Sequence, residues 1–199
     1  MKIYVDFDRT LFDCDRFLGD IYALINKYNI TKEMFVECQN QCIEKGFNPY
    51  LILDLVKEKY NFDNKLYQDL DLFMEDTSNY LYSDASTFLN YLKLLKYEVI
   101  ILSKGNIDYQ KKKIMNSHID LLYSDLIITR NHKGDLGLDY INSIFIDDNP
   151  KEILSIMNQK PKKIIRLQRD DSLYANIPME VDILSYKTLQ EIIDDKVLN

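Results

Sequence analysis

The chain has 199 residues, 46% of them hydrophobic, and its 32 acids outnumber 25 Lys and Arg to leave a formal charge of -7. That length can bury one full core, or a core with a smaller inserted unit, and because the basic residues are scattered, no nucleic-acid polymer is an expected partner. No apolar run reaches the roughly 18 residues a membrane span needs and the amino terminus turns acidic by Asp6, so neither a membrane partner nor a signal peptide is expected, and the expected location is the cytoplasm.

The chain opens with Lys2-Ile3-Tyr4-Val5, a short run of strand formers that stops at Asp6-Phe7-Asp8-Arg9-Thr10-Leu11. Burying an unpaired charge is costly, so both acids belong at the strand's open end. Alternation puts them on one side if the strand persists through Asp8, whereas a turn after Phe7 separates them. Phe17, Ile21, Leu24, Ile25 and Tyr28 then mark a helical face, and Thr31 can cap a second helix carrying Phe35, Cys38 and Cys42. Asn48-Pro49 opens a third helix with Ile52, Leu55 and Val56, and Leu66, Leu70, Phe73 and Thr77 suggest a fourth. Residues 15–80 therefore read as an all-helical unit. Cys14, Cys38 and Cys42 form no CxxC pair, and buried apolar roles are expected for Cys38 and Cys42.

Beyond this unit, Asp84 can cap a helix with Phe88, Leu92 and Leu95, and Val99-Ile100-Ile101-Leu102 is a buried strand ending at Ser103-Lys104-Gly105-Asn106. A helix over Ile107–His118, a strand at Leu126-Ile127-Ile128 and a loop containing His132 and Lys133 follow. Ile144-Phe145-Ile146 is another buried strand, halting at Asp147-Asp148-Asn149-Pro150. Asn149 as cap, Pro150 in the first turn and Glu152 completing a capping box start a helix there. Lys163–Leu167 reads as a strand near an edge, and Ser185 as the cap of a last helix with Leu189, Ile192 and Ile193. Strands alternating with helices predict a parallel α/β sheet covered on both faces, with ligands at the carboxyl ends of its strands.

Three of those strand ends carry polar groups: Asp6 and Asp8, then Ser103, then Asp147 and Asp148, with Lys133 in the loop before the last. Four crowded carboxylates repel unless a divalent cation is present, and an all-oxygen donor set suits magnesium better than zinc.

The ordered set Asp6-Phe7-Asp8-Arg9-Thr10, Leu102-Ser103, Lys133 and Asp147-Asp148 resembles the haloacid dehalogenase-like hydrolase superfamily. The resemblance implies a Rossmann-like parallel core over 1–14 and 81–199, with 15–80 as a helical cap of the C1 type. It implies a Mg2+ cofactor held by Asp6, Asp8, Asp147 and Asp148, with Asp148 favoured as the direct ligand of the last two and the Asp8 carbonyl also on the metal. Asp6 is then the nucleophile that forms an aspartyl-phosphate, and Asp8 the acid that protonates the leaving alcohol and later deprotonates water. Ser103, Lys104, Gly105 and Lys133 are the implied phosphate contacts, and Thr10 supports the turn. Lys104 and Lys113 compete with Lys133 for the lysine's role, but only Lys133 lies in the loop before the acidic strand. Arg9, where the family often has glycine, and His132, beside Lys133, are candidates for substrate contact.

The expected activity is that of a magnesium-dependent phosphomonoesterase acting on a small phosphorylated metabolite, a nucleotide or a sugar phosphate. A phosphomutase of the same chemistry and a non-catalytic metal- or phosphate-binding regulator are the alternatives.

Overall fold

The computed structural model describes residues 1–198. Its central strand, β1 (Lys2–Val5), turns Ile3 and Val5 to one side and Tyr4 to the other, and all three are buried. Around it lie β2 (Glu98–Lys104), β3 (Asp125–Thr129), β4 (Ile144–Asp147), β5 (Lys163–Leu167) and β6 (Ser185–Tyr186). Their order is β3-β2-β1-β4-β5-β6, and every pairing is parallel. The chain builds outward from β1 through β2 and β3, then returns to place β4 on the other side of β1. The carboxyl ends of β1 and β4 meet at this reversal, where open α/β sheets hold ligands.

Both faces are covered. Phe88 and Leu92 of α5 (Ala85–Leu94), Ile114 of α6 (Ile107–Met115) and Ile192 of α8 (Leu189–Asp194) pack with Ile3, Val5, Val99 and Ile101. On the opposite face Ile156 of α7 (Pro150–Met157) and Tyr140 join Tyr4, Ile100, Leu102 and Phe145, with Phe145 stacked between Tyr4 and Tyr140 at ring separations of 4.7 and 5.4 Å.

Between β1 and α5 come α1 (Cys14–Asn26), α2 (Lys32–Gln41), α3 (Pro49–Lys59) and α4 (Lys65–Met74). Thr31 and Asn48 cap α2 and α3 through their side chains, and Pro49 in the first turn of α3 loses no helical hydrogen bond by lacking an N–H. The apolar stripes of all four helices are buried in one cluster that runs on into the sheet's core. Cys14, Cys38 and Cys42 are buried free thiols. The chain leaves and re-enters the sheet unit side by side: Asp13 N donates to Tyr80 O at 2.7 Å and Tyr82 N to Leu11 O at 2.9 Å. No helix among the described residues is long and apolar enough to cross a membrane.

Three local expectations are corrected. Ser185 belongs to β6, which covers β5, and Thr188 caps α8 in a capping box with Glu191. A two-residue strand is too short to show a period. Asp84 makes no cap bond to α5 but accepts from Arg169 and from Leu189 N. Asn149 caps α7 as expected, whereas the Glu152 carboxylate turns away from the cap into the site described next.

Candidate active site

Asp6 carries the β1 ladder one step further, donating its N–H to Ile146 O at 2.9 Å. The backbone then closes into a tight turn: Leu11 N and Phe12 N both donate to Phe7 O, at 2.9 and 3.0 Å, and Arg9 takes a left-handed φ of 59°. That turn breaks strand alternation, so the two acids part. Asp6 faces Lys133, while the Asp8 carboxylate accepts from Lys113 Nζ at 2.5 Å and Gln110 Nε2 at 2.6 Å. The acids whose side-chain oxygens lie within 4.8 Å of one another are Asp6, Asp147 and Asp148, so the Asp8 carboxylate stands outside this cluster and its expected share in the metal site falls to its backbone carbonyl.

All three of those acids are buried, and Lys133 is buried between two of them. Its Nζ donates to Asp6 Oδ1 and, at 2.6 Å, to Asp147 Oδ2, while Asp147 Oδ1 accepts from Asn149 N at 2.9 Å. Asp148 Oδ2 has no hydrogen-bond partner. Burial pushes the Asp6 carboxyl up to about 7, with Lys133 opposing and Asp147 adding to the rise. Burial, then Asp6 and Asp147, push Asp148 well above the usual carboxylate range. Burial works against the Lys133 ammonium, but Asp147 and Asp6 outweigh it and raise its pKa. Were all three acids ionised, their charge would outweigh the one ammonium, and Asp148 Oδ2 is buried here without a partner. This donor set fits a hard divalent cation such as magnesium.

For Asp8 the balance runs the other way. Burial alone would raise its carboxyl, yet the Lys113 ammonium and the Gln110 amide hold it below the usual range.

The expected phosphate contacts divide. Ser103 is buried at the end of β2 and its hydroxyl has no partner. Lys104 borders the acidic pocket, but its ammonium is tied to Glu152 at 2.6 Å and lies 3.1 Å from His132 Nδ1. The Gly105 amide is already spent on Thr129 O at 2.8 Å, because β2 and β3 stay paired to that point, so as arranged it is not free for a phosphate. Thr10 is buried with an unpartnered hydroxyl, and its carbonyl takes two bonds from Arg169, at 2.9 and 3.3 Å. Arg9 pairs with Asp15 through two bonds, at 2.6 and 2.9 Å, and its guanidinium lies over the Tyr174 ring at 5.3 Å. His132 Nδ1 lies 2.9 Å from Glu152 Oε1, a carboxylate oxygen that can only accept.

Sequence reasoning passed over three residues that build this corner. Glu152, 2% exposed, binds Lys104 Nζ through one oxygen and the Lys133 backbone N–H, at 2.9 Å, through the other, so one carboxylate fixes two lysines. Burial opposes its charge, but Lys104 and the Lys133 amide hold its carboxyl low. Gly134 lets the Lys133 loop press onto α7: a Cβ there would sit 2.1 Å from Ser155 O. Arg169, buried, joins the motif turn to Asp84 at 2.7 Å and stacks on Tyr82 at 3.7 Å. The capping-box spacing conceals the first, and nothing in the Arg169-Asp170-Asp171 run marks its arginine as buried. A lone glycine beside a motif lysine was the one visible signal for Gly134.

No protein-family model matches the chain. A Plasmodium falciparum protein is 29% identical over 176 residues, 77% of this chain, and the chain spans only 5% of that protein's length. Solved structures match end to end. A haloacid dehalogenase-like hydrolase from Burkholderia xenovorans LB400 superposes with a TM-score of 0.79 at 19% identity, covering 98% of this chain and 96% of that one. A HAD-type hydrolase of Bacillus subtilis, bound to magnesium, gives 0.65 at 14% identity, covering 100% and 98%. A Thermotoga maritima protein named as a β-phosphoglucomutase gives 0.64 at 11% identity, covering 100% and 99%. The chain has the haloacid dehalogenase-like hydrolase fold, an α/β Rossmann-like parallel core.

Proposed function

We propose that the protein is a magnesium-dependent phosphomonoesterase of the haloacid dehalogenase-like kind. It acts on a small phosphorylated metabolite, a nucleotide or sugar phosphate, through an aspartyl-phosphate on Asp6. The observation that carries this reading is the division of labour between two neighbouring acids: Asp6 lies in the acidic cluster on Lys133, and Asp8 stands beside it on separate partners. A second acid at that position suits transfer from an oxygen leaving group, which needs a proton.

Magnesium, when bound, would offset the carboxylate charge and polarise the phosphoryl oxygens. Asp6 and Asp148 would hold it, since Asp148 keeps a bare oxygen whereas both Asp147 oxygens are engaged. Asp147 then keeps Lys133 in place. An Asp6 oxygen attacks phosphorus as the bond to the alcohol breaks, and Asp8 gives that alcohol its proton. Asp8 next takes a proton from water, which attacks phosphorus and releases phosphate and the Asp6 carboxylate. Lys133 neutralises charge on the phosphoryl group, and the Ser103 hydroxyl is the unpaired donor best suited to a phosphate oxygen. The helices of residues 15–80 serve as a cap over a core of 1–14 and 81–199, limiting access to small substrates.

The test is phosphate release from an aryl phosphate, nucleotides and sugar phosphates, with and without magnesium, beside Asp6→Asn. Release that needs both the metal and Asp6 is expected. Release unaffected by Asp6→Asn would sink the reading, and magnesium binding with no release from any ester would favour a binding role.

A further inference from the structure

A cavity of about 330 Å3 opens beside Asp8, with Leu18, Gln39 and Phe47 on its helical side and Tyr109, Gln110 and Lys113 on the α6 side. It joins the acidic pocket through Asp8, Arg9, Lys104 and Tyr174, and its size is at the small end for ligand sites. If phosphoryl transfer runs as proposed above, the alcohol that takes a proton from Asp8 departs into this space.

The charge on its wall is cancelled in place. Arg9 grips Asp15 at 2.6 and 2.9 Å, Lys104 donates to Glu152 at 2.6 Å, and Lys113 donates to Asp8 at 2.5 Å. Each of these cations already has its carboxylate, so a second anionic group on the substrate would have to break an existing pair to find a counter-charge. What the wall does offer is an apolar side, where Phe47 meets Tyr109 at 5.5 Å, and two amide side chains, Gln39 and Gln110. Gln110 spends its Nε2 on Asp8, at 2.6 Å, which assigns the other end of its amide as oxygen. That oxygen and the Gln39 amide oxygen are both buried without a partner. Both oxygens are closed off as arranged, so a substrate hydroxyl in the cavity satisfies them once either amide turns its oxygen toward it.

We propose that this cavity is a leaving-group subsite that selects an uncharged, hydroxyl-bearing alcohol, with Gln39 as a specificity-determining residue, and that it disfavours phosphate esters carrying a second anionic group. The inference rests on the phosphoryl-transfer reading for the word "leaving", and its test reads binding separately from turnover.

The probes are sorbitol phosphate and phosphogluconate, esterified at the same end of the same carbon chain and differing by hydroxymethyl against carboxylate at the other. Calorimetry with the Asp6→Asn protein, with and without magnesium, should show sorbitol phosphate binding about tenfold or more tighter than phosphogluconate, the scale on which a polar site discriminates. Gln39→Leu should weaken sorbitol phosphate by about tenfold, and phenyl phosphate, which has no hydroxyl on its leaving group, by clearly less. Gln39→Glu, which keeps an acceptor and adds charge, should widen the gap against phosphogluconate. Equal or tighter binding of phosphogluconate, equal losses for both ligands in Gln39→Leu, or no binding of either sugar ester would overturn the proposal. The comparison between the two sugar esters needs no Gln39 variant, so a folding defect there leaves it decisive. Phenyl phosphate hydrolysis by the unmodified protein is measured alongside; its absence would count against the phosphatase reading while the binding ratio still decides the subsite.

Discussion

Asp8 rests in surroundings that favour its ionised form, since Lys113 and Gln110 hold its carboxyl below the usual range against the pull of burial. That state suits a base drawing a proton from water. To act first as an acid in the proposed reaction, Asp8 must take up a proton from solvent as it gives up the Lys113 ammonium for the oxygen of the leaving alcohol. Asp8→Asn should therefore slow alkyl phosphate hydrolysis by about a hundredfold or more and an activated aryl phosphate by much less. Equal losses on both esters in steady-state assays would instead make Asp8 an organiser of the site. Asp6 responds to pH in the opposite sense. Its carboxyl moves from 3.8 up to about 7 on folding, so it contributes stability below the lower value that is lost as pH rises through the upper one. In the sequence, Asp6, Asp8 and the acidic pair stand out because they end apolar runs, and Lys133 because it lies in the loop before the acidic strand, as the family resemblance implies. Their partners do not, since Asp8 meets Gln110 and Lys113 across 102 and 105 residues of chain.

At the scale of elements, the site depends on how α7 and the Lys133 loop lock together. Gly134 has no room for even a methyl group against Ser155 O, because the loop's backbone rests directly on the helix. Gly134→Ala should cost about 1–3 kcal/mol in urea unfolding, as overpacking does, and should also lower turnover by shifting Lys133 from Asp6. A variant with wild-type stability and activity would show that the loop yields freely. Arg169 plays the matching part on the other side, bridging the motif turn to α5 and α8 through Thr10, Asp84 and the stacked Tyr82. Arg169→Met leaves the Asp84 carboxylate without its ammonium-like partner in a mostly buried place, and a loss of about 3–5 kcal/mol in the same measurement is expected. Helix and strand periods were legible along most of the chain, which is why β1 to β5 and the helices stand where apolar spacing put them. Ser185-Tyr186 and the capping-box reading of Glu152 failed for a shared reason: a short local pattern cannot tell where a distant surface will claim its groups.

Across the whole molecule, one sheet reversal gathers charge that the chain as written spreads over more than a hundred residues. The buried acidic cluster destabilises the metal-free protein most where its carboxylates are forced to ionise. Magnesium should raise the midpoint of thermal unfolding more at about pH 8 than at about pH 5, because protons compete for Asp6 and Asp148 at the lower value. A stabilisation independent of pH would mean that the ion binds elsewhere. The parallel core was legible from alternating helices and apolar strands; the cavity beside Asp8 was not, because its wall is assembled from α1, α2, α6 and the loops of residues 46–48 and 172–175.

Phosphoryl transfer through Asp6 is tested most directly by quenching the magnesium-loaded protein in acid during turnover of a phosphate-labelled ester and mapping the label by peptide. Label on the amino-terminal peptide at Asp6, absent from Asp6→Asn, is the expected result. Turnover with no label on Asp6 under conditions that trap acyl phosphates, or label on another residue, would contradict it.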